Sequence, residues 1–230
     1  MNTNPTPSHP NRNPRRESGS SPSALVESVD CIVCKEPSYD VLRPSQYPKN
    51  LTSEELARVY CSSSDSTLMD QVVRCQGCGL VYLNPRVNAS TILASYSDAV
   101  DPRFAEQNEH RIATFKRVFS KWQRRWAGPS LRVLDLGCAG GAFPEAARQL
   151  GHEPTGIEPS KYLSGWARKT YGLDIRTGVL ADHALPNRHF DVVTLWDVIE
   201  HLSDPGSELD RIRNILKDDG HLIVNYPEYD

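Results

Sequence analysis

The stretch that decides the fold is VLDLGCAGGAF, Val133 to Phe143. Apolar residues around Asp135 run into a knot of small ones, Gly137 to Ala142, and an apolar residue, Phe143, follows. A strand that ends in a tight turn and reopens as a helix reads this way. Its small side chains leave the backbone and the helix start open to a ligand. The text on both sides agrees. Strand-like segments at about 131–136, 153–158, 173–179, 191–196 and 221–226 alternate with helix-like segments near 142–150, 160–171 and 206–217. Such alternation predicts an α/β domain, a doubly wound and mainly parallel sheet with helices on both faces.

The next strand ends in an acid, Glu158 of Gly156-Ile157-Glu158-Pro159-Ser160, 21 residues after Gly137. A carboxylate there can accept hydrogen bonds from both ribose hydroxyls of an adenosine. The dinucleotide pattern G-x-G-x-x-G is not met, because Ala139 and Ala142 stand where its second and third glycines would be. An NAD-dependent oxidoreductase is the rival that those missing glycines disfavour.

Asp135, Gly137, Ala139 and Gly141 resemble the D-x-G-x-G-x-G motif of class I S-adenosylmethionine-dependent methyltransferases, with alanine in the middle. Phe190 to Leu202, FDVVTLWDVIEHL, is similar to the fourth strand of these enzymes and the segment after it. Leu216 to Leu222, LKDDGHL, is similar to their turn into strand five, with Asp218 and Asp219 replacing a proline and a glycine. The resemblance covers about residues 131–226. It implies a Rossmann-like methyltransferase fold and S-adenosylmethionine as cofactor. It places Asp135, Gly137, Cys138, Ala139, Gly140, Gly141, Glu158 and Pro159 around the methionine and ribose parts. Val179 and Leu180 would flank the adenine, and Trp196 and Asp197 would line the sulfonium end. Val179 stands where the family often has an acid, and Asp182 is offset. His201, after strand four, is the candidate general base for methyl transfer; bracing the turn with Glu200 is the competing role. The family has seven strands, whereas this text stops shortly after the fifth. Residues 1–230 are therefore expected to be an N-terminal piece, with the apolar run HLIVNY (221–226) as an exposed sheet edge that favours self-association and with weak cofactor binding.

Ahead of that domain, Cys31-Ile32-Val33-Cys34 and Cys75-Gln76-Gly77-Cys78 supply four thiols in two C-x-x-C pairs, the number a closed tetrahedral zinc site needs. Free thiols or a redox pair are the alternatives, and Cys61 between the pairs is a possible substitute ligand. The flanking text VVRCQGCGLVYLNPRV resembles the N-terminal zinc-binding module of a group of bacterial methyltransferases that act on sugars, other glycans and natural products. The implied acceptor is a small molecule, sugar or lipid; a non-catalytic zinc-ribbon adaptor is the remaining alternative.

The organisation expected is a disordered tail at 1–24, a zinc-binding module at 25–86, a helical connector at 87–128 and the cofactor-binding domain at 129–230. Within the connector, Ile112, Phe115, Phe119, Trp122 and Trp126 recur at helical spacing as one apolar stripe. The net charge of -3 gives no global reason to expect nucleic acid as a partner. Neither a signal peptide nor a membrane-length apolar run is present, so the cytoplasm is the expected compartment.

Overall fold

The structure is a computed structural model that describes residues 25–47, 70–98, 100–102, 106–122, 126 and 129–227. The expected tail at 1–24 and Cys61 lie outside the described residues. Five short strands come first: β1 (Val26–Glu27), β2 (Tyr39–Arg43), β3 (Val72–Cys75), β4 (Val81–Leu83) and β5 (Arg86–Val87). β2, β3 and β4 form an antiparallel sheet, and β1 pairs with β5. The core here is small: Cys31, Val73, Cys75 and Tyr82, with Val29, Tyr39 and Leu80 against it. Two of its four fully buried members are cysteines, so apolar burial alone has little to work with.

Two helices follow, α1 (Ala89–Asp98) and α2 (Asn108–Trp122). On α2 the stripe turns Ile112 and Phe119 inward, and Phe115 and Trp126 pack on the same core. Trp122 does not follow the stripe; it is 39% exposed at the last residue of the helix.

The main sheet then forms from β6 (Arg132–Leu136), β7 (Glu153–Glu158), β8 (Asp174–Thr177), β9 (Phe190–Trp196) and β10 (Leu216–Asn225), all parallel, in the order β10-β9-β6-β7-β8. Its crossovers are α3 (Ala142–Gln149), α4 (Lys161–Tyr171) and α5 (Pro205–Ile215). Side chains alternate between two buried layers, as strands covered on both faces require. Leu134, Leu136, Val193 and Leu195 meet Ile212 and Ile215, while Val133 and Val192 meet Phe119, Phe143 and Ala147. The strand order reverses at β6, between β7 and β9. In open α/β sheets the ligand crevice lies at the C-terminal ends of the strands beside such a switch point.

Two boundaries differ from the sequence reading for local reasons. The third strand stops at Thr177 because Gly178 takes φ +126° and donates its amide to the Glu158 carbonyl at 3.0 Å. The fifth starts at Leu216, because the LKDDGHL segment is an irregularity inside β10 instead of a turn before it. Leu216 already pairs with Phe190 there, and Lys217 reaches Asp191 at 2.5 Å. Among the described residues no helix is long and apolar enough to cross a membrane.

Candidate functional site

The turn after β6 is shaped by backbone geometry before any ligand is considered. Gly137 has φ +66°, and a Cβ there would stand 2.6 Å from Val198 Cγ2, so no other residue fits without displacement. Ala139, which occupies the middle position of the glycine pattern, also takes a left-handed conformation, at φ +46°. That conformation sends its amide to Glu158 Oε2 at 2.7 Å. The other carboxylate oxygen, Oε1, accepts the Ser160 amide at 2.7 Å. Glu158 therefore ties the turn after β6 to the turn after β7, and Ser160 in turn caps α4 by accepting the Leu163 amide.

Two buried acids lie beneath this turn. Asp135 is 2% exposed and accepts a hydrogen bond from Thr194 Oγ1 at 2.6 Å; Glu158 is 6% exposed. Burial pushes the Asp135 carboxyl up to about 8, against the Thr194 hydrogen bond, and the charge of Glu158 adds to the rise. Burial likewise pushes Glu158 up to about 7, against the two backbone amides. Negative charge here is thus disfavoured unless a positive or hydrogen-bond-donating group arrives. A folded-state carboxyl pKa raised above its unfolded value means that the native state holds protons the unfolded chain has lost, so stability falls as pH rises towards about 8. We expect the melting temperature of the ligand-free protein to fall between about pH 6.5 and 8.5, and to fall less for Asp135→Asn, which removes one of the two protons. Equal falls for both proteins in a calorimetric pH series would contradict the burial of charge at Asp135.

The remaining sequence candidates separate into two groups. Backbone and edge positions stay at the crevice: Gly140 and Gly141 close the turn into α3, Pro159 is half-buried beside Glu158, and Val179 is half-buried after Gly178. Asp197, exposed and at φ +54°, accepts from Asn225 Nδ2 at 2.7 Å at the end of β9. Other side chains point inward. Cys138 packs with Ala167, Leu173 and Ile175, Leu180 joins the Leu134 core, and Trp196 packs in a tilted arrangement on Phe115 and Phe143 at centroid distances of 5.1 and 5.3 Å. Asp182 is committed to the Val179 amide at 2.9 Å. His201 is exposed, in the short 3-10 turn Ile199–His201, with its ring edge-on to Tyr96 of α1 at 6.0 Å.

Two residues of α2 sit at the crevice without a sequence signal of their own. Asn108, 1% exposed, donates from Nδ2 to the Gly140 carbonyl at 2.5 Å. Arg111, one turn on, is partly desolvated and faces the charges of Asp101 and Asp197. Neither belongs to a strand, turn or motif; only the packing of α2 on α3 brings them there.

In the N-terminal part the four cysteine sulfurs all lie within 4.8 Å of one another. Cys31 and Cys78 are 3.6 Å apart and Cys34 and Cys75 3.4 Å. Those separations are near the edge of about 3.8 Å of a tetrahedron with metal–sulfur bonds of about 2.3 Å, and far from a disulfide bond. Burial raises Cys31, but the amides of Cys34 and Val33 and the neighbouring thiols outweigh it and bring it to about 6. The Glu36 amide favours a Cys34 thiolate, yet the sulfurs of Cys75 and Cys78 push it up to about 12. Four such groups share one site that only a cation can fully deprotonate. Both pairs close with a left-handed residue, Lys35 at φ +64° and Gly79 at φ +78°, whose amides return to the Cys31 and Cys75 carbonyls. Lys35→Gly should remove the side-chain penalty of that conformation and stabilise the protein by about 1 kcal/mol, seen as a rise in melting temperature.

This part is fastened to the main domain near His201. Arg86 pairs with Glu27 at 2.9 Å and donates to the Ser203 carbonyl at 2.8 Å. A groove of about 740 Å³ lined by Arg188, Arg213, Lys217 and Leu222, among others, lies at the opposite ends of β9 and β10 from the glycine turn and shares none of these groups.

Comparison with known proteins identifies a family for part of the chain. Residues 104–230, more than half of the chain, match a family model described as a methyltransferase domain. A ubiquinone biosynthesis O-methyltransferase of Alkalilimnicola ehrlichii is 36% identical over 103 residues, covering 41% of this chain and 40% of the relative. One of the same name from Yersinia enterocolitica is 29% identical over 156 residues, covering 55% and 64%. The chain thus spans about two-fifths to two-thirds of the length of these curated relatives. Among solved structures, a Methanococcus maripaludis protein described as a putative S-adenosyl-L-methionine-dependent methyltransferase superposes with a TM-score of 0.49 at 16% identity, covering 54% of this chain and 61% of that one.

Proposed function

Because the chain belongs to the methyltransferase-domain family, we propose that it binds S-adenosylmethionine at the turn after β6 and transfers its methyl group to a small-molecule acceptor. The observation that carries the reading is the pairing of a left-handed small-residue turn with a buried carboxylate, Glu158, whose two oxygens already hold the turns on either side of the crevice. Each oxygen keeps a lone pair for a ribose hydroxyl. Asp135 and Glu158 favour a cationic ligand; the pyrophosphate of a dinucleotide would meet two buried acids and no second glycine at Ala139. When bound, S-adenosylmethionine supplies a sulfonium methyl open to direct displacement.

The protein's share is alignment, exclusion of water and movement of one proton. Gly137 to Gly141 keep the turn open for the amino-acid part, and Val179 borders the adenine end. The end of β9 borders the sulfonium end through the Trp196 backbone, its ring being packed inward on Phe115 and Phe143, and Asp197 closes the edge. His201, on the exposed turn after β9, takes the acceptor's proton in this reading. Both relatives are named as O-methyltransferases, which favours an acceptor oxygen.

The four cysteines hold zinc in a structural role: Cys31, Cys34, Cys75 and Cys78 fill the coordination sphere and leave no open position for chemistry. Through Arg86 and Ser203 the metal-bound part steadies the segment that carries His201.

The test is methyl transfer from isotopically labelled S-adenosylmethionine into small molecules of a cell extract. Labelled product from the wild type, and less than about one-tenth of it from His201→Ala with unchanged cofactor affinity, is the result expected for a general base. No labelled product at all from a cofactor-binding preparation would point to the non-catalytic adaptor, and full turnover of the variant would remove His201 from the mechanism.

A further inference from the structure

We propose that α1 is the cover of the ligand crevice, a flap hinged on the metal-binding part that closes over the bound donor. This rests on the donor reading given above, and it assigns a working part to a helix that lies ahead of the matched family region, residues 104–230. The last turn of α1 touches both banks of the crevice. Tyr96 meets the ring of His201, in the turn after β9, at 6.0 Å, and Asp98 pairs with Lys161 Nζ at 2.9 Å. Lys161 is the first residue of α4 and follows closely on Glu158 at the end of β7. In the sheet β6 lies between β7 and β9, whose ends therefore stand two strand spacings apart, about 10 Å. Tyr96 and Asp98 bridge that gap across the end of β6, where the glycine turn opens.

The two ends of α1 are held differently. Its start is fixed to the metal-binding part: Val87 is 1% exposed and pairs with Val26, and the Asn88 amide donates to the Leu25 carbonyl at 3.0 Å. Asn88 Oδ1 then caps the helix by accepting the Thr91 amide at 2.9 Å. Beyond that cap little is buried. None of the residues of α1 is buried, and the ion pair at its end is 70% and 74% exposed, a contact that solvent screens. Segments that bury little apolar surface open locally at low cost, and lids over ligand sites are drawn from them. Transfer from a sulfonium benefits from exclusion of water, and α1 stands where it can supply that.

Amide exchange and dissociation kinetics on the metal-loaded protein, with S-adenosylhomocysteine as probe, test the flap. Saturating probe should slow exchange in residues 89–98 by about tenfold or more. Lys161→Glu sets two like charges at the closing contact and should speed release of the probe by about two- to fivefold. Asp98→Lys combined with Lys161→Glu restores opposite charges in reverse order and should return the rate close to that of the wild type, which ties the effect to the contact and not to either side chain. Unchanged exchange in 89–98 while calorimetry shows the probe bound would overturn the flap. So would a Lys161→Glu protein that releases the probe at the wild-type rate. If the wild type shows no calorimetric binding at all, the donor reading itself fails, and the flap fails with it.

Discussion

Replacing Glu158 by alanine is expected to reduce S-adenosylhomocysteine binding by at least about 100-fold and to destabilise the ligand-free protein by about 2–4 kcal/mol. The two effects have separate origins. In the free protein the carboxylate accepts the Ala139 and Ser160 amides at 2.7 Å each, and alanine leaves both without that partner in a buried position, at about 1–3 kcal/mol apiece less what water can recover. In the complex two ribose hydroxyls lose their acceptor too, which adds a comparable penalty. Glu158→Gln separates the terms. It preserves shape but offers one acceptor oxygen and an NH2 group that faces an amide donor, so at least one of the two backbone contacts must break. Thermal melting and calorimetry on the same samples read the two terms independently. A stable Glu158→Ala protein with wild-type affinity would mean that the crevice is held by other groups and that the ligand lies elsewhere.

Removal of the metal, or of one of its cysteines, should have the second large effect. Wild-type protein purified without chelator is expected to carry one zinc per chain, and Cys31→Ser or Cys75→Ser well under half of that. The reasoning is energetic: four buried residues form the local core, and two of them, Cys31 and Cys75, are the sulfurs themselves. A structural zinc contributes on the order of 10 kcal/mol to such a fold, far more than the few apolar contacts of Val73 and Tyr82 can supply. Loss of the ion should therefore unfold residues around β2–β4 and release Arg86 from Ser203, so that faster amide exchange appears near 72–83 and again near 199–204. Full protection in both segments after exhaustive chelation would show that the antiparallel strands stand without metal.

The parts of this molecule that were legible in the sequence are those where one residue type has one physical reason. Gly137 sits at a positive φ against Val198, and the alternating apolar runs became buried strands because parallel strands bury both faces. The C-x-x-C pairs brought four sulfurs together because two intervening residues let each pair face one point. Other features were hidden because they depend on what a side chain meets after folding. Cys138 and Leu180 looked like lining residues by position, but their side chains serve the core behind the turn. Trp122 continued a helical period on paper, yet the helix ends there and the ring is left 39% exposed. Asn108 carries no motif at all, and its value arises only when α2 lies across α3 and meets the Gly140 carbonyl.

On the proposed function, the turn after β6 accepts a sulfonium nucleoside and refuses a dinucleotide. The direct measurement is calorimetric titration of the metal-loaded wild-type chain with S-adenosylhomocysteine and, in parallel, with NAD. One equivalent of S-adenosylhomocysteine is expected to bind, with no heat from NAD and with the first signal lost in Glu158→Ala. Saturable binding of NAD, with no binding of S-adenosylhomocysteine, would contradict it.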